Sequence, residues 1–457
     1  MAGFLGGSVR AEDLDEALRA AQVEDTRDTL SAAYTREASA RAPSGRARRA
    51  GVLTAVGRVE FGYRYAGKGR GAAAVVPEIM GMVSDAADGD PAPVRATPGA
   101  RRLVAESTVL QDSVRDSCDF LERWCGLAVS SASALKIVRR AGILTERMWE
   151  DAYGSSCFEA AMRIIECRNE EDRIGFEMEK GLREDDGKRH RRHPARSRHV
   201  GLTVAFSSDG TGAPCVHADT QGAKGRDGDE ADTKEVKLLT ITFYDRVDGK
   251  GRPIVHPGCV FYYASTERID AFVSKVNGLA QKAGCGGAVR LQFISDGAKW
   301  LERIWREVFG GTAATRPGWI RAVDFYHAAE YLAKIVREIV PPGEFAARMK
   351  ALAGHMKRKG ARRTLEKIRA DYGKRALAGL TEEGRKALAY IEARLDYMDY
   401  GRFRGEGFYV GSGTVESGCK SVVAARCKLA GMHWRLVTVG AVAILRATLR
   451  SNLPIAA

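Results

Sequence analysis

The sequence predicts a mixed α/β fold centred on one sheet, in which three consecutive strands precede alternating strand–helix units. Three observations predict it. Strand-like runs at 201–207, 236–245 and 254–264 follow one another with turn residues, and no helical period, between them. Two further runs, 289–295 and 319–325, each lead into a segment with helical spacing. A hydrophobic content of 45% over 457 residues is ample for several buried cores and argues against a mostly disordered chain.

From the amino terminus, residues 11–40 are charged and Ala-rich, with Leu14, Leu18, Val23 and Leu30 loosely periodic, and predict one or two helices. The basic stretch 41–51, with Pro43 and Gly45, reads as a linker, Leu53–Tyr65 as a hairpin around Gly57, and 66–100 as Gly-, Ala- and Pro-rich loop. From about 103 to 180 the pattern is helical. Val114, Cys118, Leu121 and Cys125 fall on one helix face, Gly126 breaks the run, and Ser130 or Ser131 caps a second helix with Leu135 and Val138 inward. Lys136, Arg139 and Arg140 then lie on the outward face. This outline suits a DNA-binding helix-turn-helix, and equally a plain helical hairpin. Residues 183–199 include Arg189, Arg191 and Arg192 and form either a solvated linker or a phosphate-binding arm.

Beyond residue 200 the expected order is three strands, a helix at 267–283, the strand 289–295, an amphipathic helix at 299–309, the strand 319–325, and a helix from near Ala328. Three strands followed by strand–helix units (β-β-β-α-β-α-β-α) is the ribonuclease H-like order. Residues 331–405 read as all-helical and as an insertion, and 406–457 as the last part of the core with carboxy-terminal helices. The expected domains are therefore 1–100, 101–182, 183–199, 200–330, 331–405 and 406–457.

In this order the first and fourth strands are neighbours. Both end in Asp-Gly, which brings Asp209 and Asp296 to the same sheet edge, where open α/β sheets build their sites. Two close carboxylates repel unless a cation lies between them, and hard oxygen ligands suit Mg2+ or Mn2+. A third carboxylate, Glu416, stands in the first turn of a helix preceded by Gly411 and Gly413, which allow close backbone approach. Each acid also has a plain structural role open to it: hairpin turn for Asp209, helix cap for Asp296, dipole partner for Glu416.

With 72 Lys and Arg against 58 Asp and Glu, the net charge is +14, which favours polyanionic partners, nucleic acid first. The longest apolar stretch, Leu436–Leu445, is about half the roughly twenty residues a membrane span needs. Met1–Arg10 has no secretory pattern, and nine cysteines without CxxC spacing suit a reducing cytoplasm.

Several motifs in order carry a family resemblance. They are Ser208-Asp209-Gly210; Lys234-Glu235-Val236-Lys237; Ser295-Asp296-Gly297-Ala298-Lys299-Trp300-Leu301; Asp324-Phe325-Tyr326-His327-Ala328; Gly411 to Lys420 around Glu416; and Gly431-Met432-His433-Trp434. Over roughly 200–450 the chain resembles bacterial insertion-sequence transposases of the DDE type, closest to the ISKra group. The resemblance implies cleavage and joining of DNA ends by in-line displacement, with two Mg2+ or Mn2+ ions held by Asp209, Asp296 and Glu416. It implies double-stranded DNA as partner, a homo-oligomer on that DNA, and a cytoplasmic, nucleoid-associated location. Asp324, His327 and Lys420 are expected beside the metal site or on DNA, with Asp324 the alternative to Asp296 as second ligand. Relatives often carry cysteines after the amino-terminal hairpin. Residues 52–117 have none, so no zinc is expected. A nuclease that cleaves without joining, or a domesticated DNA-binding protein, are the competing classes.

Overall fold

The computed structural model describes residues 11–41, 46–65, 96–179, 197–225, 229–288, 290–310 and 316–456. The chain is mixed α/β and divides into two compact units. One comprises Met1–Glu146, Ala425–Arg446 and Pro454–Ala457, the other Arg147–Ala424 and Ala447–Leu453. Among the described residues no helix is long and apolar enough to cross a membrane.

The first unit opens with α1 (Ala11–Arg41) and a two-stranded antiparallel ribbon, β1 (Arg46–Thr54) and β2 (Gly57–Tyr65). The hairpin is longer than the sequence predicts. Residues 46–51, expected as linker, pair across to Glu60–Tyr65 despite their basic side chains. Val52, Val59 and Phe61 of the ribbon form a small core with Ala38. Three helices follow: α2 (Pro98–Leu110), α3 (Val114–Cys125) and α4 (Ser131–Met148). Ser113 caps α3 by accepting from the Asp116 amide, and Gly126 ends it at φ +59°, where a side chain would be strained. Ser130 caps α4, its hydroxyl accepting from the Ser133 amide. Residue 142 of α4 has to be glycine, because a Cβ there would meet the Ala441 backbone at 2.7 Å in the helix Leu436–Arg450.

The second unit holds α5 (Gly154–Glu179) and the main sheet. The sheet is built from β3 (Arg198–Pro214), β4 (Thr233–Val247), β5 (Pro253–Ile254), β6 (Val260–Ser265), β7 (Arg290–Ser295) and β8 (Trp319–Val323). A four-residue helix, α6 (His217–Thr220), lies between β3 and β4, α7 (Ile269–Lys282) between β6 and β7, and α8 (Lys299–Ile304) between β7 and β8. β4 is buried from Val236 to Val247, and Leu238, Leu239, Ile241, Phe243 and Tyr244 supply the apolar side chains that mark it as a strand in the sequence. It pairs antiparallel with β3 on one side and with β5 and β6 on the other, while β7 pairs parallel with β3 and β8 parallel with β7.

Two strands differ from expectation. β3 does not end at Asp209-Gly210 but runs on to Pro214, because residues 210–214 find ladder partners at 233–237. The expected strand 254–264 is split into β5 and β6, since Pro257 offers no amide and Gly258 turns the chain at φ +87°. β3 also carries an irregularity between His199 and Thr203, with Gly201 at φ +83°, and from Thr203 onward its register is regular.

After β8 come α9 (Phe325–Ile339), α10 (Phe345–Ala378), α11 (Glu382–Glu392), α12 (Tyr400–Gly405) and α13 (Gly413–Gly418). α9 begins three residues before the expected Ala328. The helices of 331–405 share one core with the parallel edge of the sheet: Ile294, Ile320, Ala322 and Val323 pack with Leu332, Ile335, Leu352, Leu365, Ile391 and Phe403. Each of the buried Ile, Leu, Val and Phe side chains contributes about 1.5–3 kcal/mol. Residues 331–405, expected as a helical insertion, fall in the same compact unit as the sheet.

Candidate active site

The pairing of β3 with β7 keeps a constant offset of 87 residues, ending at Ser207 opposite Ile294. Carried two residues further, it sets Asp209 level with Asp296. Glu416 reaches the same place on α13. The glycine that brings this helix close is Gly418, where a Cβ would meet Leu238 Cδ2 at 2.6 Å, Leu238 being the ladder partner of Asp209. Gly411 and Gly413, credited with this role from the sequence, do not need to be glycine for it: a Cβ meets nothing within 4 Å at 413 and only ordinary contacts at 411.

Asp209, Asp296 and Glu416 line one cavity of about 310 Å3, together with Ser208, Asp324, Tyr326, His327, Glu330, Ser412 and Val415. Each of the three acids spends one oxygen on local structure. Asp209 Oδ1 accepts from the Gly210 amide at 2.7 Å, Asp296 Oδ1 from the Ala298 amide at 2.8 Å, and Glu416 Oε1 from the Ser412 hydroxyl at 3.0 Å. Among the described residues the second oxygen of Asp296 and of Glu416 has no N–H or O–H donor, and that of Asp209 meets only the weak Cys419 thiol at 3.9 Å. Burial pushes the Asp209 carboxyl above the usual carboxylate range. The Gly210 amide opposes this, and the negative charges of Asp296, Glu416 and Glu235 add to it. A carboxyl raised by burial, with further acids beside it, is a place where a cation is favoured. The donor set is all hard oxygen, which fits Mg2+ or Mn2+. Among the described residues no three His, Cys, Asp or Glu side chains are grouped closely enough to hold a metal ion between them.

Asp324 is different. It is 2% exposed and both oxygens are taken: Oδ1 by the His327 amide at 2.7 Å, Oδ2 by the Ser412 amide at 2.6 Å and the Ser412 hydroxyl at 3.0 Å. It caps α9 and ties the 411–413 loop to it, helped by the Phe325 amide donating to Val410 O. The Ser412 hydroxyl has one proton and two carboxylates, Asp324 and Glu416, within 3.0 Å, so Asp324 and Glu416 compete for it. His327 lines the cavity, with its ring 3.5 Å from Glu330. Lys420 is exposed and lies outside the cavity lining.

Of the residues expected to contact DNA, Lys136, Arg139 and Arg140 are half-buried, and Arg139 Nε donates to Thr438 Oγ1 at 2.8 Å. The inward face of α4 is Ala134, Ile137, Val138, Ala141, Gly142 and Thr145, with Leu135 half-buried. Arg189, Arg191 and Arg192 lie outside the described residues. Sequence reasoning missed Ser412 and Gly418. The run of small residues around Glu416 was the available signal, but it does not say which of them meets a partner.

Compared with known proteins, the chain matches no protein-family model and no curated protein sequence.

Proposed function

We propose that the chain is a DNA transposase that cleaves the ends of an insertion sequence and joins them to target DNA. The observation that carries this reading is the cavity in which Asp209, Asp296 and Glu416 each keep an oxygen without a strong donor, beside an Asp324 that keeps none. The sheet order supports it: three antiparallel strands with two parallel ones added to the first agree with the order expected of a ribonuclease H-like core, the two-residue β5 being an addition at the edge. The +14 charge suits a DNA partner.

In this reading Asp209, Asp296 and Glu416, which stand too far apart to share an ion as they are placed, would have to draw together to hold Mg2+ or Mn2+, which would supply charge stabilisation at the phosphodiester and a stronger oxygen nucleophile. Ser412 and Asp324 fix the backbone from which Glu416 projects. Tyr326, 62% exposed, stands at the cavity as a surface for a base to rest on. No protein nucleophile is required. The test is a cleavage assay on duplexes spanning the DNA that flanks the coding sequence. Mg2+-dependent nicks at fixed positions, followed by joined products with a second duplex, are the expected outcome. Cleavage without joining would make the chain a nuclease. No cleavage of any flanking duplex, in Mg2+ or Mn2+, would overturn the reading.

A further inference from the structure

The same unit contains a second cavity, of about 530 Å3 and opposite in charge. Arg198, Lys250, Lys357, Arg358 and Arg404 line it, with Asp248 the one acid. These cations come from four places in the chain: the start of β3, the turn between β4 and β5, α10 and α12. We propose that this groove binds the phosphate backbone of double-stranded DNA next to the acidic cavity, an inference that rests on the DNA-processing reading above.

The charge is available. Among the described residues none of the five cations is ion-paired to a carboxylate. Arg198 gives one N–H to Gly405 O at 2.9 Å and Arg404 one to Lys250 O at 3.0 Å, so carbonyls orient these guanidinium groups without neutralising them. Asp248 does not offset the charge, because its carboxylate is bound within its own turn. It accepts from the Lys250 and Arg252 amides, each at 2.9 Å, and pairs with the Arg252 side chain at 2.7 Å.

The walls are held together by backbone. A Cβ on Gly251, already at φ +73°, would meet Arg404 O at 2.7 Å, and one on Gly401 would overlap Arg358 O. The cations are therefore displayed from segments locked to one another rather than from independent loops.

Lys357 links the groove to the acidic site. The Lys357 ammonium lies 4.8 Å from the Phe325 ring and 5.5 Å from the Tyr326 ring, and Tyr326 lines the carboxylate cavity. Open, cationic and joined to an acidic centre, the groove suits a polymer of phosphates that continues past it, more than a small enclosed ligand.

The test uses the full chain and a fluorescent duplex of about 30 base pairs, with binding read by anisotropy in EDTA so that no cleavage occurs. Lys250→Ala with Arg358→Ala removes two exposed groove cations. Arg363→Ala with Lys386→Ala is the control. It removes two exposed cations already paired to Glu366 and Glu382, for the same change in net charge. The groove variant should bind about tenfold more weakly, and its log K against log salt should be shallower by about 1.8, the loss of two phosphate contacts. The control should match wild type. Equal weakening of both variants, or of neither, overturns the groove while leaving the DNA-processing reading intact. A wild-type chain that binds no duplex removes both.

Discussion

Asp324 offers the sharpest separation between bracing and metal binding. Replacing it with Asn keeps its shape and leaves Oδ1 able to accept from the His327 amide. At Oδ2, however, an NH2 would face the Ser412 amide, donor against donor, in a site that is 2% exposed. A hydrogen bond to a buried charged group is worth about 1.5–3 kcal/mol, and a stranded buried donor costs about 1–3 kcal/mol. The Ser412 hydroxyl can turn to accept from the new amide, which recovers part of this. The net expectation for Asp324→Asn is a loss of about 2–4 kcal/mol, or roughly 3–7 °C in Tm for a unit of this size. Thermal melts followed by circular dichroism, in EDTA and then in Mg2+, measure it. The variant should melt early in both buffers and keep any upward shift that Mg2+ gives the wild type. If it instead melts like wild type in EDTA and loses the Mg2+ shift, Asp324 is a metal ligand, and the choice of Asp296 as the second ligand fails.

Asp209→Asn, Asp296→Asn and Glu416→Gln should each abolish strand cleavage while leaving duplex affinity intact, since the amide keeps the volume but not the charge. Near-wild-type cleavage by any one of them in Mg2+ would show that residue to be misassigned. Asp209→Asn should also melt higher than wild type near neutral pH in EDTA. The folded-state pKa of Asp209 is raised, so wild-type stability falls as pH rises from the unfolded value, near ~3.9, through that raised value. The gap should close as the pH is lowered towards ~3.9, and a gap independent of pH would refute the electrostatic cause. Gly418→Ala places a methyl 2.6 Å from Leu238 Cδ2 and 2.9 Å from Tyr262 Cε1, and should cost about 1–3 kcal/mol by overpacking, read as a lower Tm. Arg139→Ala with Arg140→Ala should reduce preference for element ends over scrambled duplex in a competition assay. Neutralising Arg189, Arg191 and Arg192 should weaken binding to both alike, and the reverse pattern would move recognition away from α4.

Much of the sheet was legible because its strands are buried. β4 and β7 announce themselves by closely spaced apolar and β-branched residues, and the Asp after β7 falls where the chain leaves the sheet. The extension of β3 was not legible, since Asp-Gly-Thr-Gly-Ala-Pro has the composition of a turn and only its partner, Thr233–Lys237, makes it a strand. The ribbon at 46–51 was hidden in the same way, by basic side chains on a backbone paired elsewhere. Within the site, residue type pointed to Asp209, Asp296 and Glu416. It did not show that Asp324 has both oxygens committed or that Gly418, two residues past Glu416, sets the distance to the sheet. Those are properties of neighbours far apart in sequence, and no local pattern encodes them.

The irregularity near Gly201 bears on which changes in length this chain can survive. A residue gained or lost between His199 and Thr203 falls where the ladder is already out of step, so the slack is taken up there. A residue gained or lost between Thr203 and Asp209 has no such outlet. It would turn Asp209 to the opposite face of the sheet and part it from Asp296, whatever side chains were chosen around it. The spacing of the two aspartates is thus written in the count of backbone hydrogen bonds. Related chains could exchange most of the side chains along these strands and keep the site, but they could not change that count.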